Sequence, residues 1–147
     1  MKKAIFFSLL LPAALTACQQ KPYIDVQAHR GGAGLMPENT RTAMKNALDL
    51  DVNTLEFDLQ LSKDGQVVVF HDDTLNRVCG VNARVDELDW AELKNLRLCG
   101  TGERMPLFHE VLSLVDGRTP MIVELKSGRR NRELCEKTLA LLSAYDG

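Results

Sequence analysis

The chain has no run of basic residues: 18 Lys and Arg stand against 20 Asp and Glu, for a formal net charge of −2 over 147 residues. A nucleic-acid partner is held largely through phosphate neutralisation by clustered Lys and Arg, so nucleic acid is excluded as a partner. Histidine is scarce, and imidazole chemistry is confined to His29, His71 and His109. The four cysteines, Cys18, Cys79, Cys99 and Cys135, contain no pair at zinc-finger spacing. A membrane-spanning helix needs about 20 apolar residues, and the stretch from Ala4 to Leu15 is too short. There is no internal repeat and no low-complexity tract. Gly31-Gly32-Ala33-Gly34 lacks the spacing and the lysine of a nucleotide-binding loop, and reads as flexibility after a strand.

The short apolar stretch has a different use. Lys2 and Lys3 precede it, and Leu15-Thr16-Ala17-Cys18 follows as a bacterial lipobox. Residues 1–18 are therefore expected to be a signal peptide, with Cys18 lipidated and residues 19–147 forming the domain. Acyl chains add about 0.8 kcal/mol per buried methylene, so several on one cysteine anchor a domain stably. The expected location is the bacterial cell envelope, lipid-anchored. Gln19, not aspartate, favours the outer membrane if the cell is Gram-negative. That compartment permits disulfides. Cys79 and Cys99 share a loop-rich region and form the more plausible pair, whereas Cys135 lies in a helical pattern and is expected to be a buried thiol.

Hydrophobic patterning predicts alternating strands and helices. Tyr23 to Ala28, Val67 to Phe70 and Met121 to Leu125 read as strands, and Asn53 to Leu61 alternates, with Leu55, Phe57, Leu59 and Leu61 on one face and Glu56, Asp58 and Gln60 on the other. Lys63-Asp64-Gly65-Gln66 is a turn signal. Helices are expected over Thr40 to Leu50, with Asn39 or Thr40 as cap, and over Asp86 to Leu98, Leu107 to Val115 and Asn131 to Tyr145. Such alternation argues for an α/β fold with a parallel sheet, whose site gathers at the carboxyl ends of strands.

Candidate chemistry lies at those ends. Glu56 and Asp58, two apart on a strand, leave the same face and can grip one hard cation, magnesium or calcium rather than zinc; equally, they could be the solvated face of an edge strand. His29 and His71 each follow an apolar run and suit acid–base work near neutral pH. His109, inside a helical pattern, reads as structural. Arg30 offers a charged fork for a phosphate oxygen and Lys126 a point charge, and both could serve as counterions for the carboxylates. Asn39 and Thr40 read as a helix cap and Glu38 as a first-turn acid.

In order along the chain, His29-Arg30-Gly31-Gly32, Pro37-Glu38-Asn39-Thr40, Glu56-Phe57-Asp58 and Phe70-His71-Asp72 closely resemble the motifs of the glycerophosphodiester phosphodiesterase family, over about Val26 to Lys126. The resemblance implies a triosephosphate-isomerase-type (β/α)8 barrel, of which this chain, with about four strands, would hold roughly the N-terminal half, as a fragment or a truncated product or, more rarely, with a partner supplying the rest. It implies a catalytic pair His29 and His71, metal ligands Glu56, Asp58 and Glu124, phosphate contacts Arg30 and Lys126, and supporting roles for Glu38 and Asn39. It also implies a divalent cation, Ca2+ or Mg2+, and a small glycerophosphodiester substrate cleaved to glycerol 3-phosphate and an alcohol. The alternatives are a phosphodiesterase acting on lysophospholipid or sphingomyelin head groups, and a truncated, inactive or binding-type surface lipoprotein.

Overall fold

The computed structural model describes residues 24–98 and 100–147, so Cys18, its lipobox and Cys99 lie outside the described residues. Four strands form one sheet: β1 (Gln27–Ala28), β2 (Thr54–Leu61), β3 (Val67–Val69) and β4 (Met121–Leu125). The α-helices are α1 (Arg41–Asp49), α2 (Asn76–Cys79), α3 (Trp90–Leu93), α4 (Phe108–Val115) and α5 (Asn131–Ser143).

Strand β2 organises the sheet. Its pairing with β4 is parallel and in register from Leu55↔Met121 to Leu59↔Leu125. Its other edge is shared: β1 pairs parallel to it at Thr54 and Leu55, and β3 pairs antiparallel to it at Leu59 to Leu61. The expected strands are all present, but only β1, β2 and β4 run in parallel. The turn at Ser62 to Gln66, closed by the Ser62 N–H donating to the Gln66 carbonyl at 3.0 Å, folds β3 back as a hairpin. A loop this short cannot make the crossover that parallel strands require. Of the four expected strands, three have the parallel barrel direction.

Along β2 the alternating side chains face two environments, and both are buried. Leu55, Phe57, Leu59 and Leu61 pack with Met44 and Ala47 of α1, with Phe108, Val111, Leu112 and Val115 of α4, and with Leu134 of α5. The Phe57 and Phe108 rings sit 5.9 Å apart, tilted by 51°. Glu56, Asp58 and Gln60 on the opposite face are also buried. A second cluster joins Val68 and Phe70 to Leu75, Val85, Leu93, Leu98, Met105 and Leu107.

Helix α1 begins where its cap allows. Thr40 Oγ1 accepts from the Ala43 N–H at 3.0 Å, so Thr40, not Asn39, is the cap. The helix expected over Asp86 to Leu98 is instead a 3₁₀ turn, Val85–Glu87, followed by α3, because the chain is extended at Leu88 and Asp89. There Glu92 accepts from the Asp89 N–H at 3.0 Å, which starts a new helix in mid-pattern. Helix α2 was not expected at all. No helix among the described residues is long and apolar enough to cross a membrane.

Candidate active site

Two strand ends approach each other along one edge of β2. Strand β1 stops level with Leu55, and β3, running the other way, stops level with Leu59. In the interval between them lie Glu56 and Asp58. The chain leaving β1 becomes the tight turn His29–Gly31, and the chain leaving β3 continues through Phe70 into His71. His71 thus reaches the site along an antiparallel strand, not from the end of a parallel one.

The turn after β1 is held in an unusual backbone. Arg30 (φ 51°) and Asn39 (φ 54°) occupy the left-handed region, which a non-glycine residue adopts only when its surroundings enforce it. The surroundings do so here: the Arg30 N–H donates to Glu56 Oε2 at 2.6 Å, and the Asn39 N–H to the Arg30 carbonyl at 2.9 Å. Gly31, at φ 75°, lies against α1, where an added Cβ would come within 3.1 Å of the Met44 side chain and 3.3 Å of the Ala43 Cβ. Of the glycines expected to give flexibility, Gly31 is close-packed against α1, whereas Gly32 and Gly34 have open space around them.

Glu56, Asp58 and Glu124 each present an oxygen such that all three lie within 4.8 Å of one another. In-register pairing of Asp58 with Glu124 across β2 and β4 puts them on one face. Burial of Glu56 and Asp58 on a central strand removes the reading of a solvated edge. Asp58 Oδ2 accepts from Asn39 Nδ2 at 2.9 Å, while its Oδ1 is buried without a hydrogen-bond partner and lies 3.5 Å from Lys126 Nζ. Taking a carboxylate out of water costs several kcal/mol unless it is paired. The cations at hand are shared: Lys126 Nζ donates to Glu124 Oε1 at 2.7 Å, and Arg30 Nη1 to Glu38 Oε1 at 3.1 Å. Counting Glu38, Glu56, Asp58, Asp72 and Glu124 as ionised gives five negative charges, against Arg30, Arg77 and Lys126, leaving two uncompensated. An all-oxygen donor set with one bare buried oxygen and two excess negative charges fits a hard divalent cation.

The flanking groups are tuned by their neighbours. Burial works against the charge on Lys126, yet Glu124 and Asp58 outweigh it and raise its pKa; Lys126 in turn lowers that of Glu124. His29 is exposed, with Nε2 3.9 Å from Glu56 Oε2. His71 is more enclosed, its Nδ1 2.7 Å from Asp72 Oδ1.

Residues 29–144 match the glycerophosphoryl diester phosphodiesterase family. The chain belongs to that family. It is 38% identical to lysophospholipase D GDPD3 of Mus musculus over 135 residues, which is 84% of this chain and 40% of the relative. It is also 38% identical to a glycerophosphodiester phosphodiesterase of Caldanaerobacter subterraneus over 111 residues, 70% of this chain and 45% of the relative. An Oleispira antarctica phosphodiesterase solved with its product sn-glycerol-3-phosphate superposes with a TM-score of 0.78 at 28% identity, over 83% of this chain and 53% of that one. This family member therefore spans about half the length of its relatives, and its α/β fold is part of their barrel.

Every site residue named from the sequence falls around the carboxylate cluster except Cys18, which lies outside the described residues; His109, read as structural, is exposed on α4. Glu38 is not a first-turn acid; it receives Arg30 and Arg77. Cys135 is exposed, not buried, and the Cys79–Cys99 pairing falls on a residue outside those described. Asp72, quoted only as part of a motif, was given no role, and two contributors were missed: Arg77, and Gln60, whose Nε2 lies within hydrogen-bond distance of the carbonyls of Asp72 (2.5 Å), His71 (3.2 Å) and Phe70 (3.3 Å) and so pins the loop that carries His71. The only sequence signal for Gln60 was its place on the same alternating face as Glu56 and Asp58.

Proposed function

We propose that this chain carries the acid–base and metal-binding half of a phosphodiesterase that cleaves glycerophosphodiesters to glycerol 3-phosphate and an alcohol. The observation that carries the reading is the convergence of Glu56, Asp58 and Glu124 between the chain segments that deliver His29 and His71.

A phosphodiester is an anion with a poor alkoxide leaving group. Its cleavage needs charge neutralisation at phosphorus, a nucleophile relieved of its proton, and a proton for the departing oxygen. Glu56, Asp58 and Glu124 would hold a divalent cation, calcium or magnesium, which when bound supplies positive charge for the phosphate oxygens. Arg30 and Lys126, already oriented by Glu38 and Glu124, would receive the phosphate. In the reaction the family resemblance implies, one imidazole takes the proton of the substrate's own 2-hydroxyl as that oxygen attacks phosphorus. The other imidazole, protonated, gives its proton to the departing alcohol, and water then opens the cyclic phosphate. Glu38 and Asn39 support this set by holding Arg30 and Asp58.

The test is glycerol 3-phosphate release from glycerophosphocholine by the purified chain, with chelator and then with calcium or magnesium restored. Release by these residues alone is expected to be weak or absent, because the chain spans about half the length of its relatives, and robust release would refute that expectation; any release is expected to be chelator-sensitive and lost in Glu56→Gln, and release indifferent to chelator would remove the carboxylates from the metal role. Because GDPD3 of Mus musculus bears the name lysophospholipase D, detergent-dispersed lysophosphatidylcholine is the rival substrate in the same assay. The Leu15–Cys18 motif supports a lipid anchor in the cell envelope, and incorporation of labelled palmitate, abolished in Cys18→Ala, would establish it.

A further inference from the structure

Arg77, on α2, makes more polar contacts than any role so far requires. Its Nε donates to Asp72 Oδ2 at 2.6 Å and its Nη2 to Asp72 Oδ1 at 3.0 Å. On its other side, Nη1 reaches Glu38 Oε2 at 2.9 Å and Nη2 reaches Glu38 Oε1 at 2.6 Å. One guanidinium thus makes four hydrogen bonds to two carboxylates, which only a planar fork can do.

The two carboxylates belong to different parts of the site. Glu38 also receives Arg30 Nη1, and Asp72 also engages His71 Nδ1 at 2.7 Å. A continuous chain of contacts, Arg30 to Glu38 to Arg77 to Asp72 to His71, therefore ties the turn after β1 to the loop after β3. Arg77 is half exposed, and ion pairs of that kind are worth about 0–1 kcal/mol, so stability alone does not account for four bonds. Orientation does. An ionised carboxylate only accepts hydrogen bonds, so a neutral His71 bonded to Asp72 must carry its proton on Nδ1, which leaves the Nε2 lone pair as its basic nitrogen.

We propose that Arg77 is a positioning residue: by gripping Asp72 and Glu38 together it fixes His71 as the Nδ1–H tautomer, with Nε2 presented to substrate, and holds it in register with Arg30. The consequence for catalysis rests on the proposed reading of His71 as an acid–base group; the geometry stands without it.

The test reads the histidine ring nitrogens by 15N NMR in the full chain, at a mildly alkaline pH where imidazole is neutral. With three histidines the signals are assigned by single His→Gln variants, and exposed His109 on α4 reports an unconstrained ring. His71 is expected to show a single Nδ1–H tautomer in the native chain. In Arg77→Met it should collapse to the mixture that His109 shows, and added guanidinium should restore it. Arg77→Lys, which keeps the charge without the fork, should lose the single tautomer too, and it carries the test if Arg77→Met does not fold. Retention of the Nδ1–H tautomer in a folded Arg77→Met, or native behaviour of Arg77→Lys, would overturn the proposal. The tautomer is read without substrate, so release that is indifferent to chelator would sink the functional reading and leave the Arg77 assignment intact.

Discussion

At the scale of single residues the site is built from groups in demanding positions. Asn39 sits at positive φ while its side chain donates to the buried Asp58 carboxylate. A hydrogen bond to a charged group contributes about 1.5–3 kcal/mol, so Asn39→Ala should lower unfolding stability by about 2 kcal/mol, read as a fall in urea midpoint. Asp72 is held at about 2, against an ordinary 3.8, by Arg77 first and by His71 in addition, with burial opposing. A depressed carboxylate contributes its stability above the ordinary pKa and loses it as pH falls through the folded value. Arg77 lowers Glu38 from its ordinary 4.5 as well, so the stability gap between the native chain and Arg77→Met should be constant above about 4.5 and shrink as pH falls through 3.8 toward about 2; a gap unchanged through that window would mean that neither carboxylate gains from Arg77. These contacts were the least legible part of the sequence. His29, Glu56 and Asp58 announced themselves by spacing and by resemblance, whereas Arg77 lies in a four-residue helix with no periodic signal, and its partners are 5 and 39 residues away.

At the scale of elements, periodicity served where an element had one wet face and one dry. Helices α1, α4 and α5 fall within a residue or two of their expected bounds for that reason. The direction of β3 was hidden because Val67, Val68 and Val69 are all apolar and buried, so no alternation marks which neighbour each face meets. The expected helix through Asp86 to Leu98 failed because a local capping contact at Asp89 overrode the leucine spacing. The cap of α1 gives a clean element-scale prediction. Thr40→Ala removes the acceptor for the Ala43 N–H and should cost about 1 kcal/mol, measured by denaturant unfolding, while the carboxylate cluster keeps its arrangement.

At the scale of the whole molecule, β4 pairs with β2 and with no other strand among the described residues, and Ile122 and Leu125 on it are exposed. A strand with one open edge and exposed apolar side chains is a template for another chain. Sedimentation of the chain from Gln19 onward should show mass rising with concentration, and Ile122→Thr should weaken that association; a strictly monomeric chain at all concentrations would show that the edge is protected. Barrel membership was legible from the order of motifs, but the pairing of the strands was not, since it depends on β1 and β3 meeting one edge of β2 from opposite ends.

Strand β3 has one more consequence. Val67 and Val69 belong to the core beneath β2, whereas Val68 and Phe70 belong to the second core. The Val69 N–H also donates to the Pro106 carbonyl at 2.9 Å and the Phe70 N–H to the Asp58 carbonyl at 3.0 Å. Four consecutive residues thus rivet two apolar bodies together, and His71 is the next link. Neither body can loosen without tugging on that imidazole, so the amides of Val69 and Phe70 should exchange with deuterium only through global opening. The His71 ring would then be as durable as the weaker of the two cores.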